Sequence, residues 1–285
     1  MFTTLISTRE LGARVGVPGD ASLVIVDVRH DLAQPEAWGE SAYRVGHVPG
    51  ARFAHIDRDL SAPKTGRNGR HPLPDADACA RVFGRLGIDA TKQVVAYDQG
   101  SGMYAARLWW MLRSLGHEAA AVLDGGFAAW TREGRPVTTE IPEFRGTTFV
   151  ARGVPATIDA PAIAANLATP SFVLLDARAR ERYRGDVEPL DPVAGHIPGA
   201  LNRPYLDNLE PDGRFKPAAA LATEFDALLA GRAASDAVHY CGSGVTACHN
   251  LLAMTHAGRA GARLYPGSWS EWCSDPQRPV ARGDA

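Results

Sequence analysis

The sequence predicts an α/β protein of two tandem domains, each with a largely parallel central sheet flanked by helices. The chain has 285 residues, which is too long for one ordinary core and fits two domains. Apolar runs such as Leu23–Val28 are short and continuous, as in strands that are buried on both faces of a parallel sheet. Several segments also recur at a nearly constant interval, which indicates a duplicated fold.

The internal repeat is the clearest organisational feature of the chain. Its displacement is 149 residues for the first two pairs of segments, then 143 and 142 for the later pairs. Because loops absorb insertions, such drift between elements is expected of two homologous domains. The recurring segments are VIVDVR at 24–29 and VLLDAR at 173–178, GHVPGA at 46–51 and GHIPGA at 195–200, Tyr97 and Tyr240, and Trp130 and Trp272.

Local signals place elements within the first half. The capping box Ser7–Glu10 predicts a helix to about Val15, before a break at Gly16, Pro18 and Gly19. Asp75 is expected to cap a helix that runs to about Leu86. Buried strands are predicted at 23–28, 94–97 and 120–123, and helices at 103–115 and around Trp130.

The predicted domains are residues 1–137 and residues 156–285, joined by a linker at 138–155. The region from Pro136 to Pro155 carries prolines and polar residues with little periodicity, which is typical of a linker.

Composition excludes several classes of protein. Hydrophobic residues make up 45% of the chain and charged residues 22%, which are globular values, and the formal net charge is -2. No long basic run indicates nucleic-acid binding, and no stretch of about eighteen apolar residues indicates a membrane span. Because the N-terminal segment lacks a signal-peptide pattern, we expect a cytoplasmic protein.

The cysteines show no metal-binding pattern. They form no CxxC pair and have no paired histidines at zinc-site intervals, which argues against zinc. With no secretion signal we expect them to be reduced, and we expect no metal or organic cofactor. The four are Cys79, Cys241, Cys248 and Cys273.

Cys241 has the sequence context of a reactive thiol. It follows the apolar run Ala237–Tyr240 and precedes a turn with two glycines and a run of helical character. A cysteine there lies at the carboxyl end of a strand and at the N-terminus of a helix, where backbone N–H groups favour a thiolate. The alternative is one more buried apolar residue, but such a position would not need Gly242 and Gly244.

The repeat assigns this chemistry to the second half. The residue that corresponds to Cys241 in the first copy is Asp98, at a displacement of 143. An aspartate cannot act as a sulfur nucleophile. We therefore expect the first domain to keep the fold without the nucleophile.

The repeated D-x-R and G-H-[IV]-P-G-A signatures, with a cysteine loop in the second half, resemble the two-domain rhodanese-type sulfurtransferases over nearly the whole chain. The loop Cys241–Ala247 is similar to the 3-mercaptopyruvate sulfurtransferase version, which is neutral; thiosulfate sulfurtransferases usually carry a cation directly after the cysteine. The resemblance implies two rhodanese-like domains and transfer of a sulfane sulfur from 3-mercaptopyruvate to a thiol, cyanide or thioredoxin-like acceptor. Thiosulfate is the alternative donor.

The resemblance also implies site residues. Arg182 matches an arginine that binds the donor's carboxylate in the family, although it can also be a surface arginine. Animal members place a second such arginine about nine residues further on, where this chain has Asp191. Arg184 is a possible substitute. The loop N–H groups of Gly242, Gly244, Val245 and Thr246 would bind the donor and the transferred sulfur.

Ser243, His71 and Asp57 match positions proposed in the family as a relay for the donor's thiol proton. A histidine that titrates near 6.5 can accept a proton through a serine. His71 can instead be a loop histidine bonded to backbone, and Asp57 can simply cap its loop.

Other singled-out residues have structural interpretations. His47 and His196 occur in both copies, so we expect them to bond backbone groups. The Asp and Arg residues of the D-x-R signatures are expected to tie strand ends together. Cys248 is expected to be helical and buried, with a resolving-thiol role as the alternative.

Two rival functions compete with ping-pong sulfur transfer through a Cys241 persulfide. A cysteine phosphatase would need an arginine as the sixth residue after the cysteine, and that residue is Ala247. A non-catalytic sulfur carrier or interaction module is the other rival, and turnover with any donor would exclude it.

Overall fold

The computed structural model describes residues 1–17 and 20–284. The chain forms two compact units. Unit 1 comprises residues 1–62, 74–155 and 211–214, and unit 2 comprises residues 63–73, 156–210 and 215–285. The predicted break at Pro18 and Gly19 lies outside the described residues, as does Ala285. Segment 63–73 falls inside the predicted first domain but packs into unit 2.

Unit 1 is a five-stranded parallel sheet with helices between the strands, in the order β1-β5-β4-β2-β3. Its strands are β1 (Leu5–Ile6), β2 (Leu23–Asp27), β3 (Ala51–Phe53), β4 (Gln93–Tyr97) and β5 (Ala120–Leu123). Its helices are α1 (Thr8–Gly12), α2 (Trp38–Val45), α3 (Ala76–Arg85), α4 (Ala105–Ser114) and α5 (Gly126–Arg132).

Unit 2 repeats this topology with a four-stranded parallel sheet in the order β7-β6-β8-β9. Its strands are β6 (Val173–Asp176), β7 (Leu201–Asn202), β8 (Ala237–Tyr240) and β9 (Arg263–Leu264). Its helices are α6 (Ala160–Ala168), α7 (Arg180–Arg184), α8 (Ala218–Leu229), α9 (Thr246–His256) and α10 (Ser268–Trp272), with 3-10 turns at Tyr205–Asn208 and Ala234–Asp236. A parallel bridge from Thr157 to Leu264 lies where unit 1 has β1.

The elements predicted for the first half agree with the structure. Ser7 forms the expected capping box with Glu10, and Asp75 caps α3 through the backbone N–H of Ala78. The strand predicted at 120–123 is β5, and the other two strands agree within one residue. Helix α1 ends at Gly12 instead of Val15, because the chain continues through turns in which Arg14 donates to the Leu11 carbonyl.

The D-x-R signature links a strand end to the repeated turn in each unit, as expected. Arg29 pairs with Asp27 at 2.7 Å and donates to the Gly46 carbonyl at 2.7 Å, and Tyr97 Oη donates to Asp27 at 2.7 Å. The second copy has the same bonds from Arg178 to Asp176 (2.6 Å) and to the Gly195 carbonyl (2.7 Å). Each carboxylate is buried and paired, so these residues hold the fold.

The repeated turn histidines also bond backbone groups, as expected. His47 Nδ1 lies 2.7 Å from the Tyr43 carbonyl, and His47 Nε2 lies 3.0 Å from the Glu140 carbonyl. His196 Nδ1 lies 2.8 Å from the Tyr183 carbonyl, and burial lowers the pKa of His196.

Candidate active site

Cys241 lies directly after β8, in the loop that leads into α9. It is buried, and its Sγ accepts hydrogen bonds from the backbone N–H groups of Ser243 (3.4 Å) and Gly244 (3.1 Å). The predicted order of strand, cysteine, loop and helix is therefore present. Two N–H donors and the N-terminus of an 11-residue helix thus lie at this sulfur.

Gly244 is required by the shape of the loop. Its φ is 75°, in the left-handed region, and a Cβ atom there would lie 2.5 Å from the Pro266 carbonyl oxygen. A larger residue would displace the loop and the N–H group that bonds Cys241.

A second segment, at the start of α10, holds the cysteine loop in place. The backbone N–H of Cys241 donates to Ser268 Oγ at 3.1 Å. In return, the Trp269 N–H donates to the Cys241 carbonyl and the Ser270 N–H donates to the Gly242 carbonyl, both at 2.9 Å. Ser268 is fully buried with a φ of 56°, which is strained for a residue other than glycine.

The sequence analysis did not single out Ser268, although the repeat carried a signal. Its counterpart in unit 1 at a displacement of 142 is Gly126, which has the same φ of 56°. In unit 1 the Phe127 N–H donates to the Asp98 carbonyl, as the Trp269 N–H does to Cys241. The signal was thus a serine in place of the glycine of a repeated turn, and its hydroxyl is the acceptor of the Cys241 N–H.

The corresponding loop of unit 1 has Asp98 where unit 2 has Cys241, and its backbone N–H groups bind the Asp98 carboxylate. Asp98 follows β4, and its buried carboxylate accepts from the N–H groups of Gly100, Gly102 and Tyr104, each at 2.9 Å, and of Ala105 at 3.4 Å. The Gly-Ser-Gly tripeptide at 100–102 recurs at 242–244. Burial raises the pKa of Asp98, and the N–H donors act in the opposite direction.

The structure brings His71 and Ser243 together within unit 2. His71 Nδ1 lies 2.7 Å from Ser243 Oγ, and both side chains are buried. The segment that carries His71 is tied to α10, since the Arg70 N–H donates to Ser270 Oγ at 2.9 Å. Gly69, at a φ of 85°, permits this approach, because a Cβ atom there would lie 2.7 Å from the Gly267 carbonyl oxygen.

Asp57, the third residue of the predicted relay, belongs to unit 1. Its Oδ2 lies 3.9 Å from His30 Nε2, and its backbone N–H donates to His55 Nδ1 at 3.1 Å. Its role toward His71 stays a prediction.

Two arginines lie beside Gly242. A Cβ atom built on Gly242 would lie 2.9 Å from Arg70 Nη2 and 3.5 Å from Arg182 Nη1. Both guanidinium groups pair with Asp191, Arg70 at 2.7 Å and Arg182 at 3.2 Å, and Arg182 also bonds Glu188 at 2.6 Å. The structure thus places Arg182 at the loop, and with it Arg70, which the sequence analysis did not single out.

Arg184, the other arginine predicted to bind the donor, has different neighbours. Its side chain is half-exposed and pairs with Asp186 at 3.1 Å and with Asp284 at 3.3 Å. No contact described for it involves the cysteine loop. Val245 and Thr246, the remaining predicted residues, are the N-cap and the first residue of α9.

The other three cysteines are buried. Burial raises the pKa of Cys79 and of Cys273 to about 11, so both stay protonated and unreactive at neutral pH. Cys248 lies inside α9, as expected, and its Sγ donates to the Gly244 carbonyl at 3.2 Å.

Among the described residues, one group of side chains has the composition of a metal site: His30, His55 and Asp57 in unit 1. Both ring nitrogens of His55 already bond backbone groups, Nδ1 with the Asp57 and Arg58 N–H groups and Nε2 with the Pro35 carbonyl. A metal would have to displace these bonds, so we assign no ion to this group.

Comparison with known proteins identifies the architecture. A family model described as the rhodanese-like domain matches residues 10–133 and again residues 159–275. The chain belongs to the rhodanese family. The predicted family and the predicted fold class, with two rhodanese domains built on parallel sheets, are therefore confirmed.

The rhodanese relatives are similar over nearly the whole chain. A probable 3-mercaptopyruvate sulfurtransferase of Pseudomonas aeruginosa is 48% identical over 285 residues, covering 98% of each chain. A putative thiosulfate sulfurtransferase of Mycobacterium tuberculosis is 40% identical over 286 residues, covering 99% of this chain and 98% of the relative. The Escherichia coli protein SseA, whose structure is described under 3-mercaptopyruvate sulfotransferases, superposes with a TM-score of 0.80 at 30% identity, covering 94% and 99% of the two chains.

These relatives confirm the prediction of a sulfurtransferase. Their names divide between two sulfur donors, as the sequence alternatives did. Among the described residues, no helix has both the length and the apolar character that crossing a bilayer requires.

Proposed function

We propose that this rhodanese transfers a sulfane sulfur from 3-mercaptopyruvate to a nucleophilic acceptor through a persulfide on Cys241. The observation that carries the proposal is the position of Cys241 Sγ, which receives two backbone N–H bonds at the start of α9. A thiolate in that position is a nucleophile, and the same N–H groups lie next to any atom that becomes bonded to it.

The loop of unit 1 supports the persulfide. The Asp98 carboxylate extends further than a cysteine sulfur and bonds the N–H groups of Tyr104 and Ala105. The corresponding groups in unit 2, at a displacement of 142, are the N–H groups of Thr246 and Ala247 in the first turn of α9. These have no intrahelical acceptor, and a negatively charged outer sulfur on Cys241 would have the reach to accept from them.

The reaction balances without an external oxidant or reductant. The Cys241 thiolate attacks the sulfur of 3-mercaptopyruvate, the S–S bond forms, and the C–S bond breaks with its electron pair remaining on carbon. The thiol proton moves to that carbon, so pyruvate leaves and an anionic persulfide remains. Cyanide then attacks the outer sulfur, thiocyanate leaves, and the Cys241 thiolate is regenerated.

We infer that Ser243 and His71 move the thiol proton. Their 2.7 Å contact is the geometry that proton transfer through a hydroxyl needs. We also infer that Asp57 orients His71, and this role is supported by the family resemblance alone.

The choice of 3-mercaptopyruvate over thiosulfate rests on charge. Gly242 and Ser243 supply no cation after the cysteine, whereas thiosulfate is a dianion. Arg182 beside Gly242 supplies a guanidinium for one carboxylate.

We further propose a cellular acceptor, a location in the cell and a linker between the domains. A thiol or a reduced thioredoxin-like protein would replace cyanide in the cell. Free cysteines suit a cytoplasmic location. We infer that residues 138–155 connect the two domains.

The deciding experiment is steady-state turnover with 3-mercaptopyruvate and with thiosulfate, using cyanide as acceptor and comparing kcat/KM. We expect a preference for 3-mercaptopyruvate. Cys241→Ser should abolish transfer with both donors and leave the unfolding midpoint unchanged, whereas Cys248→Ser should retain activity. Turnover by the Cys241→Ser protein would overturn the assignment, and a preference for thiosulfate would overturn the choice of donor.

A further inference from the structure

Ser270 contacts both segments that carry the relay side chains. Its backbone N–H donates to the Gly242 carbonyl at 2.9 Å, and Gly242 directly precedes Ser243. Its Oγ accepts from the backbone N–H of Arg70 at 2.9 Å, and Arg70 directly precedes His71. One residue of α10 thus holds both the residue before Ser243 and the residue before His71.

The segment that carries His71 fits closely against the start of α10. Gly69 has a φ of 85°, and a Cβ atom there would lie 2.7 Å from the Gly267 carbonyl oxygen and 3.3 Å from Ser270 Oγ. The Ser270 hydroxyl itself donates to that Gly267 carbonyl at 3.3 Å, which leaves its oxygen lone pairs to accept from Arg70. The hydroxyl therefore fixes where the backbone just before His71 lies.

The internal repeat separates the two bonds that Ser270 makes. The counterpart of Ser270 at a displacement of 142 is Ala128. The Ala128 N–H donates to the Gln99 carbonyl at 3.0 Å, which matches the backbone bond that Ser270 makes. The backbone bond to the loop is therefore common to both units. The methyl group of Ala128 has no oxygen that could accept from a backbone N–H, so the side-chain bond occurs at this position only in the unit with the nucleophile.

We propose that Ser270 is a positioning residue for the proton transfer, holding His71 and Ser243 at the distance that the transfer requires. This inference rests on the proposed function, in which the donor's thiol proton passes through these two side chains. The contact that Ser270 maintains is the 2.7 Å between His71 Nδ1 and Ser243 Oγ. Ser270 acts through this contact and does not itself exchange a proton with the donor.

The contact between His71 and Ser243 tolerates little displacement. Proton transfer requires heavy atoms about 2.6–3.2 Å apart, so a shift of the His71 segment by about 1 Å would break the contact. A misplacement of about that size can cost on the order of a hundredfold in rate. His71 and Ser243 are separated by 172 positions of sequence, so their contact depends on tertiary anchors such as the two bonds of Ser270.

The first test compares the two donors. Ser270→Ala removes the acceptor of the Arg70 N–H and keeps the backbone bond to Gly242. It should lower kcat with 3-mercaptopyruvate about tenfold and leave kcat with thiosulfate within about twofold, because the outer sulfur of thiosulfate brings no proton. Ser274→Ala is the matched control and should leave both rates unchanged, since Ser274 Oγ donates within its own turn, to the Glu271 carbonyl at 2.8 Å. An unchanged kcat with 3-mercaptopyruvate, or an equal loss with both donors, would overturn the proposal.

A double-mutant cycle tests whether Ser270 acts through His71. Once His71→Gln has removed the proton acceptor, Ser270→Ala should lower kcat with 3-mercaptopyruvate no further, so the two effects should be strongly non-additive. A Ser270→Ala loss of the same size in both backgrounds would show that Ser270 acts elsewhere.

A second variant displaces the same segment from the other side. Gly69→Ala brings a Cβ atom against the Gly267 carbonyl and should move the His71 segment while Ser270 stays intact. We expect a loss of kcat with 3-mercaptopyruvate and not with thiosulfate, and this variant replaces Ser270→Ala if that protein fails to fold. An equal loss with both donors would contradict a role confined to the proton.

A crystal structure of Ser270→Ala remains informative if the proposed function fails. The distance between His71 Nδ1 and Ser243 Oγ should lengthen from 2.7 Å to beyond hydrogen-bond range, whereas it should stay at 2.7 Å in Ser274→Ala. Absence of turnover with both donors in the wild type would refute the proposed function and leave this result intact. An unchanged distance in Ser270→Ala would refute the positioning role itself.

Discussion

The backbone N–H of Cys241 donates a hydrogen bond of 3.1 Å to the hydroxyl of Ser268, a residue held at a φ of 56°. Gly126 occupies the matching position of unit 1 at the same φ. Unit 2 therefore replaces a relaxed glycine by a strained serine at the point where a side-chain oxygen can bond the nucleophile's own backbone.

Substitutions at Ser268 should separate strain from function. Ser268→Gly relieves a left-handed conformation but removes two hydrogen bonds, from the Cys241 N–H and to the Tyr265 carbonyl; at about 1 kcal/mol for each of these three effects, the free energy of unfolding should fall by about 1 kcal/mol. Ser268→Ala keeps the strain without either bond and should be less stable than Ser268→Gly by about 1 kcal/mol. Both should lower kcat/KM, because the Cys241 N–H loses its acceptor. Urea unfolding and steady-state kinetics measure these effects, and equal stability of the two variants would show that the backbone carries no strain.

Replacing His71 should affect turnover of the two donors differently. The outer sulfur of thiosulfate carries no proton at neutral pH, whereas 3-mercaptopyruvate offers a thiol whose proton must move. His71→Gln should therefore lower kcat with 3-mercaptopyruvate about a hundredfold and leave kcat with thiosulfate within a few-fold. Ser243→Ala should show the same pattern, because Ser243 Oγ is the contact of His71 Nδ1. An equal loss with both donors would indicate a structural role for this pair.

Asp98 should matter for stability and not for chemistry. Its carboxylate accepts four backbone N–H bonds in unit 1, so Asp98→Ala leaves buried donors without an acceptor. We expect a loss of about 3 kcal/mol in the free energy of unfolding, with kcat within about twofold of wild type. Asp98→Asn, which keeps one acceptor oxygen, should lose less. A hundredfold fall in kcat at a temperature where the variant stays folded would contradict this interpretation of unit 1.

His239 should make the protein sensitive to acid. It lies in β8, fully buried, and burial lowers its pKa to about 3. In the unfolded chain His239 takes up a proton near pH 6.5. In the folded protein it does so only near pH 3. The free energy of unfolding should therefore fall as the pH drops from about 6.5, by at most about 1.4 kcal/mol per pH unit from this residue.

Comparison with His239→Gln isolates that contribution. Urea unfolding at several pH values between 7 and 4.5 should show a shallower loss for the variant than for wild type, whatever its stability at pH 7. Parallel pH profiles would show that His239 takes up its proton at the same pH in the folded and the unfolded protein, which would contradict the lowered pKa.

Short helices and distant contacts were beyond the sequence analysis. Helix α7 has five residues, RERYR, with no apolar periodicity to predict it, and it is held by Tyr183 Oη donating to the Ala200 carbonyl at 2.6 Å. Helix α2 has the equivalent bond from Tyr43 to Ala51 at 2.7 Å. Such helices depend on tertiary contacts more than on propensity.

The sequence by itself determined the duplicated α/β fold and the family, and it predicted the position of the nucleophile. Each of these depends on local patterns: continuous apolar runs for buried parallel strands, capping residues for helices, and glycines around Cys241. The repeat added that Asp98 replaces the nucleophile in the first copy.

Only the tertiary structure decided which side chains surround Cys241. Arg70 meets Asp191 across 121 positions of sequence, His71 meets Ser243 across 172, and Ser268 meets Cys241 across 27. The resemblance to the family implied that His71 and Ser243 act together, but sequence spacing carries no information on any of these contacts, because they form where the ends of separate elements pack together. The packing of unit 2 thus places Arg70 beside Gly242 together with Arg182. It leaves Arg184 paired with Asp186 and Asp284.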